Sequence, residues 1–261
     1  MRLKFISIRY IFFIFIWFFS NLSFADTPQD IGMILLHGKW GLPPGPLADK
    51  FKDEGYEVIS PNMPWSRVRN YDVSYEQNIE DIHQQVQKLR INGSKIIILG
   101  GHSFGANAVL AYLSKYQDVD GAMLFAPGHV PERFYDRGLS TISVDKARAL
   151  LTDGQQDANF PFTDFNQSRN REMFATVSVY LSYFDPNGLA NMPKSASLTL
   201  KAIPVLCVMS SAELALGRDY IFSKLPPHPL SRYIETPASH LQAPDATYTE
   251  ASIFVKTLLN H

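Results

Sequence analysis

The run Ile96-Ile97-Ile98-Leu99 is the tightest constraint on how this chain can fold. Successive side chains of a strand point to opposite faces, so four apolar residues in a row describe a strand covered on both sides, as in a parallel sheet flanked by helices. Comparable runs at 31–36, 57–60, 121–125 and 203–209, with a sixth near 232–235, alternate with longer stretches of helical periodicity. That alternation is the pattern of βαβ units. Between the second and third runs, Tyr75, Ile79, Ile82, Val86 and Leu89 fall on one helical face, and Ser74 with Gln77 has the form of a capping box. Helices are also expected at 47–54, 104–115, 219–224 and 246–259. The fold class is therefore α/β, a mostly parallel sheet of about six strands with helices on both faces.

Residues 131–200 interrupt the alternation and are too long for a simple crossover, so they form an insertion with structure of their own. Met173, Val177, Tyr180, Leu181 and Phe184 follow helical spacing there. Phe134, Tyr135, Phe160, Phe162 and Phe165 add aromatic surface, which either packs the insertion onto the main domain or forms a cap over a site that takes an apolar acyl or aromatic group.

The first 25 residues read as a secretory signal. Arg2, Lys4 and Arg9 precede an apolar run over 10–19, and Ser23-Phe24-Ala25 puts small residues where cleavage requires them. The run is shorter than the ~20 residues of a spanning helix. The expected product is an exported, periplasmic or secreted domain of residues 26–261, with no stable insertion in the membrane. Removing three positive charges takes the net charge from −1 to −4, which offers no surface for nucleic acid or anionic lipid. The one cysteine, Cys207, lies in an apolar strand run and reads as a core residue. No His, Cys, Asp or Glu cluster has metal-ligand spacing and no glycine-rich phosphate loop is present, so neither metal nor cofactor is expected.

Where the run at 95–100 ends and a helix begins stands Gly101-His102-Ser103-Phe104-Gly105. This is G-x-S-x-G in the strand–turn–helix context that gives it meaning. A turn that sharp brings the chain against itself and lifts the serine hydroxyl clear of the sheet, with glycines flanking it because side chains there would clash. A serine nucleophile needs a general base, and the histidines after the first 25 residues are His37, His83, His102, His129, His228, His240 and His261.

On these residues, and on the Leu35-Leu36-His37-Gly38 segment, the chain resembles the α/β-hydrolase superfamily over nearly its whole length after residue 25. The resemblance implies an oxyanion hole built from the backbone amides of Lys39 and Phe104. It implies His240, in Thr236-Pro237-Ala238-Ser239-His240 after the last strand, as the base, with His228 as the lesser candidate. The acid of such proteins follows a strand near Met209-Ser210-Ser211-Ala212-Glu213, which implies Glu213, with Asp219 as the competitor. Trp40, His102 and Trp65 are candidates for lining the substrate pocket, and Trp65 equally suits a cap on the core. The expected activity is hydrolysis of a small-molecule acyl substrate, an ester or else a thioester or amide, through an acyl-enzyme. A degenerate member that only binds a ligand or partner, or one that uses the scaffold for acyl transfer or lyase chemistry, is the alternative.

Overall fold

The computed structural model describes residues 27–259, and the signal segment expected at 1–25 lies outside them. The chain runs through β1 (Ile31–Leu36), α1 (Ala48–Asp53), β2 (Glu57–Ile59), α2 (Tyr75–Ile91), β3 (Ile96–His102), α3 (Phe104–Leu113) and β4 (Gly121–Phe125). It continues through α4 (Pro131–Asp136), α5 (Thr141–Thr152), β5 (Asn159–Asn166), β6 (Arg169–Thr176), α6 (Val177–Phe184) and α7 (Met192–Ser197). It closes with β7 (Val205–Met209), β8 (Arg232–Glu235), α8 (Ala243–Ala246) and α9 (Tyr248–Leu258).

Six strands form one sheet in the order β2-β1-β3-β4-β7-β8, and every pairing is parallel. The uniform apolarity of β1 has a two-sided reason. Ile31, Met33 and Leu35 enter a core with Phe51 of α1 and Phe254 and Val255 of α9, whereas Ile34 and Leu36 enter a second core with α2 and α3. Cys207 is buried in that second core, and burial pushes its thiol up to about 12, so it packs as a small apolar group.

Several local expectations change. Ser74 caps α2 by accepting from the Gln77 amide, but the Gln77 side chain turns forward to Asp81, so the box closes on one side only. The stretch at 219–224 forms two short 3-10 turns instead of a helix, and Thr247 divides the C-terminal helix into α8 and α9. Met173 is not helical: it lies in β6, which pairs antiparallel with β5 in a hairpin, and α6 begins only at Val177. The insertion is thus α4, α5, the hairpin, α6 and α7. Its rings mostly pack it down: Phe162 stacks on Tyr180 and Tyr180 on Phe184, at ring separations of 4.2 and 4.5 Å.

Candidate active site

The site sits where β3 hands over to α3, at the carboxyl edge of the sheet. Ser103 occupies the turn with φ of +56°, a region that a non-glycine residue adopts only when its surroundings enforce it. The enforcement is visible. The Ser103 amide donates to the Phe125 carbonyl at 2.9 Å, and its own carbonyl accepts from the Ala106, Asn107 and Gly128 amides. Phe104, at the start of α3, has its ring fixed between Trp65 and His129, with centroid separations of 4.4 and 3.8 Å.

His240 comes from the loop after β8 and Glu213 from the loop after β7. His240 Nδ1 and Glu213 Oε1 are 2.6 Å apart, which makes Nδ1 the protonated nitrogen and leaves Nε2 free to accept. The second Glu213 oxygen accepts from Ser210 Oγ, a fully buried hydroxyl, and the two loops are joined by the Ser211 amide on the Ala238 carbonyl. Asp219, by contrast, is exposed and accepts from Ser223. Gly128 measures the closeness of Ser103 and His240: a Cβ placed there would meet Ser103 Oγ at 2.9 Å and His240 Cε1 at 3.4 Å.

His102 secures the His240 loop, its Nε2–H donating to the His240 carbonyl at 2.8 Å. Ser210 and this use of His102 are the contributions sequence reasoning missed, and both depend on loops that meet only in three dimensions. Burial, reinforced by the neighbouring His240 ring, pushes the His102 imidazole down to about 4, and burial also lowers His37 and His129. In the unfolded chain an imidazole titrates near 6.5, so the stability these neutral rings confer is complete above that pH and is lost as pH falls from 6.5 towards 4. For His102 alone the displacement corresponds to about 3 kcal/mol. Denaturant unfolding at pH 7.5 and 4.5 is expected to show this loss. His102→Gln, which retains an N–H for the His240 carbonyl, should show a shallower decline, and equal declines would refute the assignment.

Lys39 lines the cleft next to Gly38, and Phe104 follows Ser103 at the start of α3. Among the described residues, backbone hydrogen bonds outside the helices and strands engage the two amides after Lys39, Trp40 on the Trp65 carbonyl and Gly41 on the Gly38 carbonyl, and none of them engages the Lys39 amide. Two cavities share Ser103, His240, Asn166 and Gln167 in their walls. One, about 360 Å³, runs past Gly38, Leu42, Pro44, Pro46, His102 and Leu241. The other, about 500 Å³, runs past Gly128, Phe134, Ser168, Ser211 and Ser239. His102 therefore lines the cleft as expected, but Trp40 and Trp65 do not. Trp65 is fully buried, stacked on Phe104, and donates to the His37 carbonyl; Trp40 Nε1 donates to Asp164. Both indoles are turned inwards because each N–H has a buried acceptor to satisfy. Of the insertion's aromatic rings singled out in the sequence, Phe134 is the one that lines these cavities. Among the described residues no group of three or more His, Cys, Asp or Glu could hold a metal ion, and no helix is long and apolar enough to cross a membrane.

A serine on a strained turn, an imidazole–carboxylate pair beside it and a doubly covered parallel sheet beneath define a hydrolase-type scaffold. The chain belongs to the alpha/beta hydrolase family, whose profile matches residues 33–250. Solved structures agree on the fold. The monoacylglycerol lipase of Paleococcus ferrophilus superposes with a TM-score of 0.64 at 18% identity, covering 90% of this chain and 96% of that one. The DcsB complex with its substrate analogue superposes with 0.65 at 15% identity, covering 89% and 92%. A soluble variant of monoglyceride lipase from Saccharomyces cerevisiae gives 0.60 at 13%, covering 90% and 88%. No curated protein matches the chain by sequence.

Proposed function

We propose that this protein is an exported serine hydrolase of carboxylic esters, with Ser103 as nucleophile, His240 as general base and Glu213 as the acid that orients it. The observation that carries this reading is the 2.6 Å contact of Glu213 with His240 Nδ1, because it leaves His240 Nε2 unprotonated and able to act as a base. In the first half-reaction Nε2 removes the Ser103 Oγ proton as Oγ attacks the carbonyl carbon. Negative charge grows on the carbonyl oxygen, where the Lys39 and Phe104 amides donate; fixed donors of this kind are each worth roughly 3 kcal/mol. Collapse expels the alcohol, which takes the proton from Nε2, and leaves Ser103 acylated. Water then repeats the sequence with His240 as its base and frees the acid. A thioester or amide is open to the same steps.

Asn166 and Gln167 line both cavities together with Ser103, which supports a reading of residues 131–200 as a cap whose hairpin turn roofs the cleft. Since the cap's rings are mainly spent on packing, the lining mixes amides, hydroxyls, imidazoles and charged side chains with Phe134 and a few aliphatic groups. That lining suits a small acyl substrate with hydrogen-bonding groups better than a long hydrocarbon chain. A fluorophosphonate probe tests the chemistry. It should label Ser103 in the wild type and nothing in Ser103→Ala, and mass spectrometry of the labelled protein from the periplasm or medium should find Asp26 at its N-terminus. An unlabelled wild type would remove the serine-hydrolase reading, and retention of residues 1–25 the signal reading.

A further inference from the structure

The loop that carries the Lys39 amide is fastened to the insertion by one buried carboxylate. Asp164, on β5, is fully buried and gathers four partners: Lys39 Nζ forms an ion pair with one oxygen at 2.5 Å, and the other oxygen accepts hydrogen bonds from Trp40 Nε1 at 2.6 Å, Tyr71 OH at 3.1 Å and Arg171 Nε at 3.2 Å. Two of these come from consecutive residues of the 38–41 loop, 124 positions from Asp164 in the case of Trp40. The same loop is held at further points. Lys39 Nζ also donates to the Phe165 carbonyl at 2.8 Å and to His129 Nδ1 at 3.3 Å, and Asn166 Nδ2 approaches the Lys39 carbonyl at 3.4 Å. His129 can accept there because its Nε2–H is committed to the Tyr183 carbonyl.

The backbone shows why such fastening is needed. Trp40 has φ of +60°, unfavourable for a residue with a bulky side chain, and sets the direction of the peptide that follows Lys39. A surface loop in that conformation would relax. Here its side chain is anchored through Nε1 to Asp164 and its amide to the Trp65 carbonyl.

Resting on the function proposed above, we infer that Asp164 is a positioning residue for the oxyanion hole: through Lys39 and Trp40 it fixes the aim of the Lys39 amide, and so makes the insertion part of the machinery that stabilises the transition state. Asp164 touches neither substrate nor Ser103. Its effect should therefore fall on the step in which charge develops on the carbonyl oxygen, with little change in ground-state binding.

The test compares wild type with Asp164→Asn and Trp40→Phe on a short p-nitrophenyl ester, with a trifluoromethyl ketone as a second probe whose Ser103 adduct carries an oxyanion. Asp164→Asn should lower kcat about ten- to a hundredfold, a fraction of what loss of a whole donor costs, with KM changed less than about threefold. The ketone's Ki should rise by the same factor as kcat falls, while the Ki of the carboxylate product stays put. Trp40→Phe removes one donor and leaves the Lys39–Asp164 pair intact, so it remains informative should Asp164→Asn fail to fold; a smaller parallel shift in kcat and ketone Ki is expected. Folded variants with lowered Tm but unchanged kcat and ketone affinity would show that Asp164 only holds the cap down, and would overturn the inference. A wild type inert to both ester and ketone is a different result, which fails the reading of the site itself.

Discussion

Replacing His240 by alanine is expected to lower kcat by roughly six orders of magnitude, with KM little altered, because the group proposed to accept the Ser103 proton is gone. Glu213→Ala should cost less, roughly four orders, since an imidazole without its carboxylate can still act as base but spends its time in the wrong tautomer or orientation. Asp219→Ala should leave the rate untouched, Asp219 being exposed and accepting from Ser223. Steady-state kinetics on a p-nitrophenyl ester reads all three. The ordering is the decisive part: wild-type turnover in Glu213→Ala would make the 2.6 Å contact structural only.

The second large effect concerns stability. A Cβ on Gly101 would lie 2.2 Å from the Gly105 carbonyl carbon and 2.4 Å from its oxygen, both backbone atoms of α3. No rotamer change relieves a clash of main chain with main chain, so strand and helix would have to separate at the point that presents Ser103. Gly101→Ala, one methyl group, is therefore expected to destabilise the fold by about 3 kcal/mol and to abolish fluorophosphonate labelling. Urea unfolding measures the first effect; a variant within about 0.5 kcal/mol of wild type would show that the turn yields more easily than its geometry implies.

What was legible in the sequence follows from where the physical signal is local. β1 and β4 occupy the spans their apolar runs specify, and the elbow is readable because strand, glycine, serine and helix are contiguous. The hairpin was not readable. Its turn places Gln167 and Ser168 at φ of +47° and +64°, and neither residue is the Asn or Gly that normally announces two positive φ values in succession. Its strand β5 puts Asp164 on the inward side beside Phe162, where alternation leads one to expect an apolar residue. Met173, facing inwards from β6, happens to stand four residues before Val177 of α6, and the two together imitate a helical stripe. Trp40 and Trp65 were misplaced for a related reason: an indole near a site in sequence says nothing of which way its N–H must turn.

Lys39 and Asp164 are each nearly or wholly removed from solvent, and they pair at 2.5 Å. Isolated charges in such surroundings are expensive, and removing one partner of a buried pair typically costs about 3 to 5 kcal/mol. The insertion is consequently not an interchangeable module. A chimera that grafts another protein's cap between β4 and β7 to redirect specificity would import a new roof and strand a cation beneath it, unless the graft brings a carboxylate to the place of Asp164 or Lys39 is made neutral at the same time.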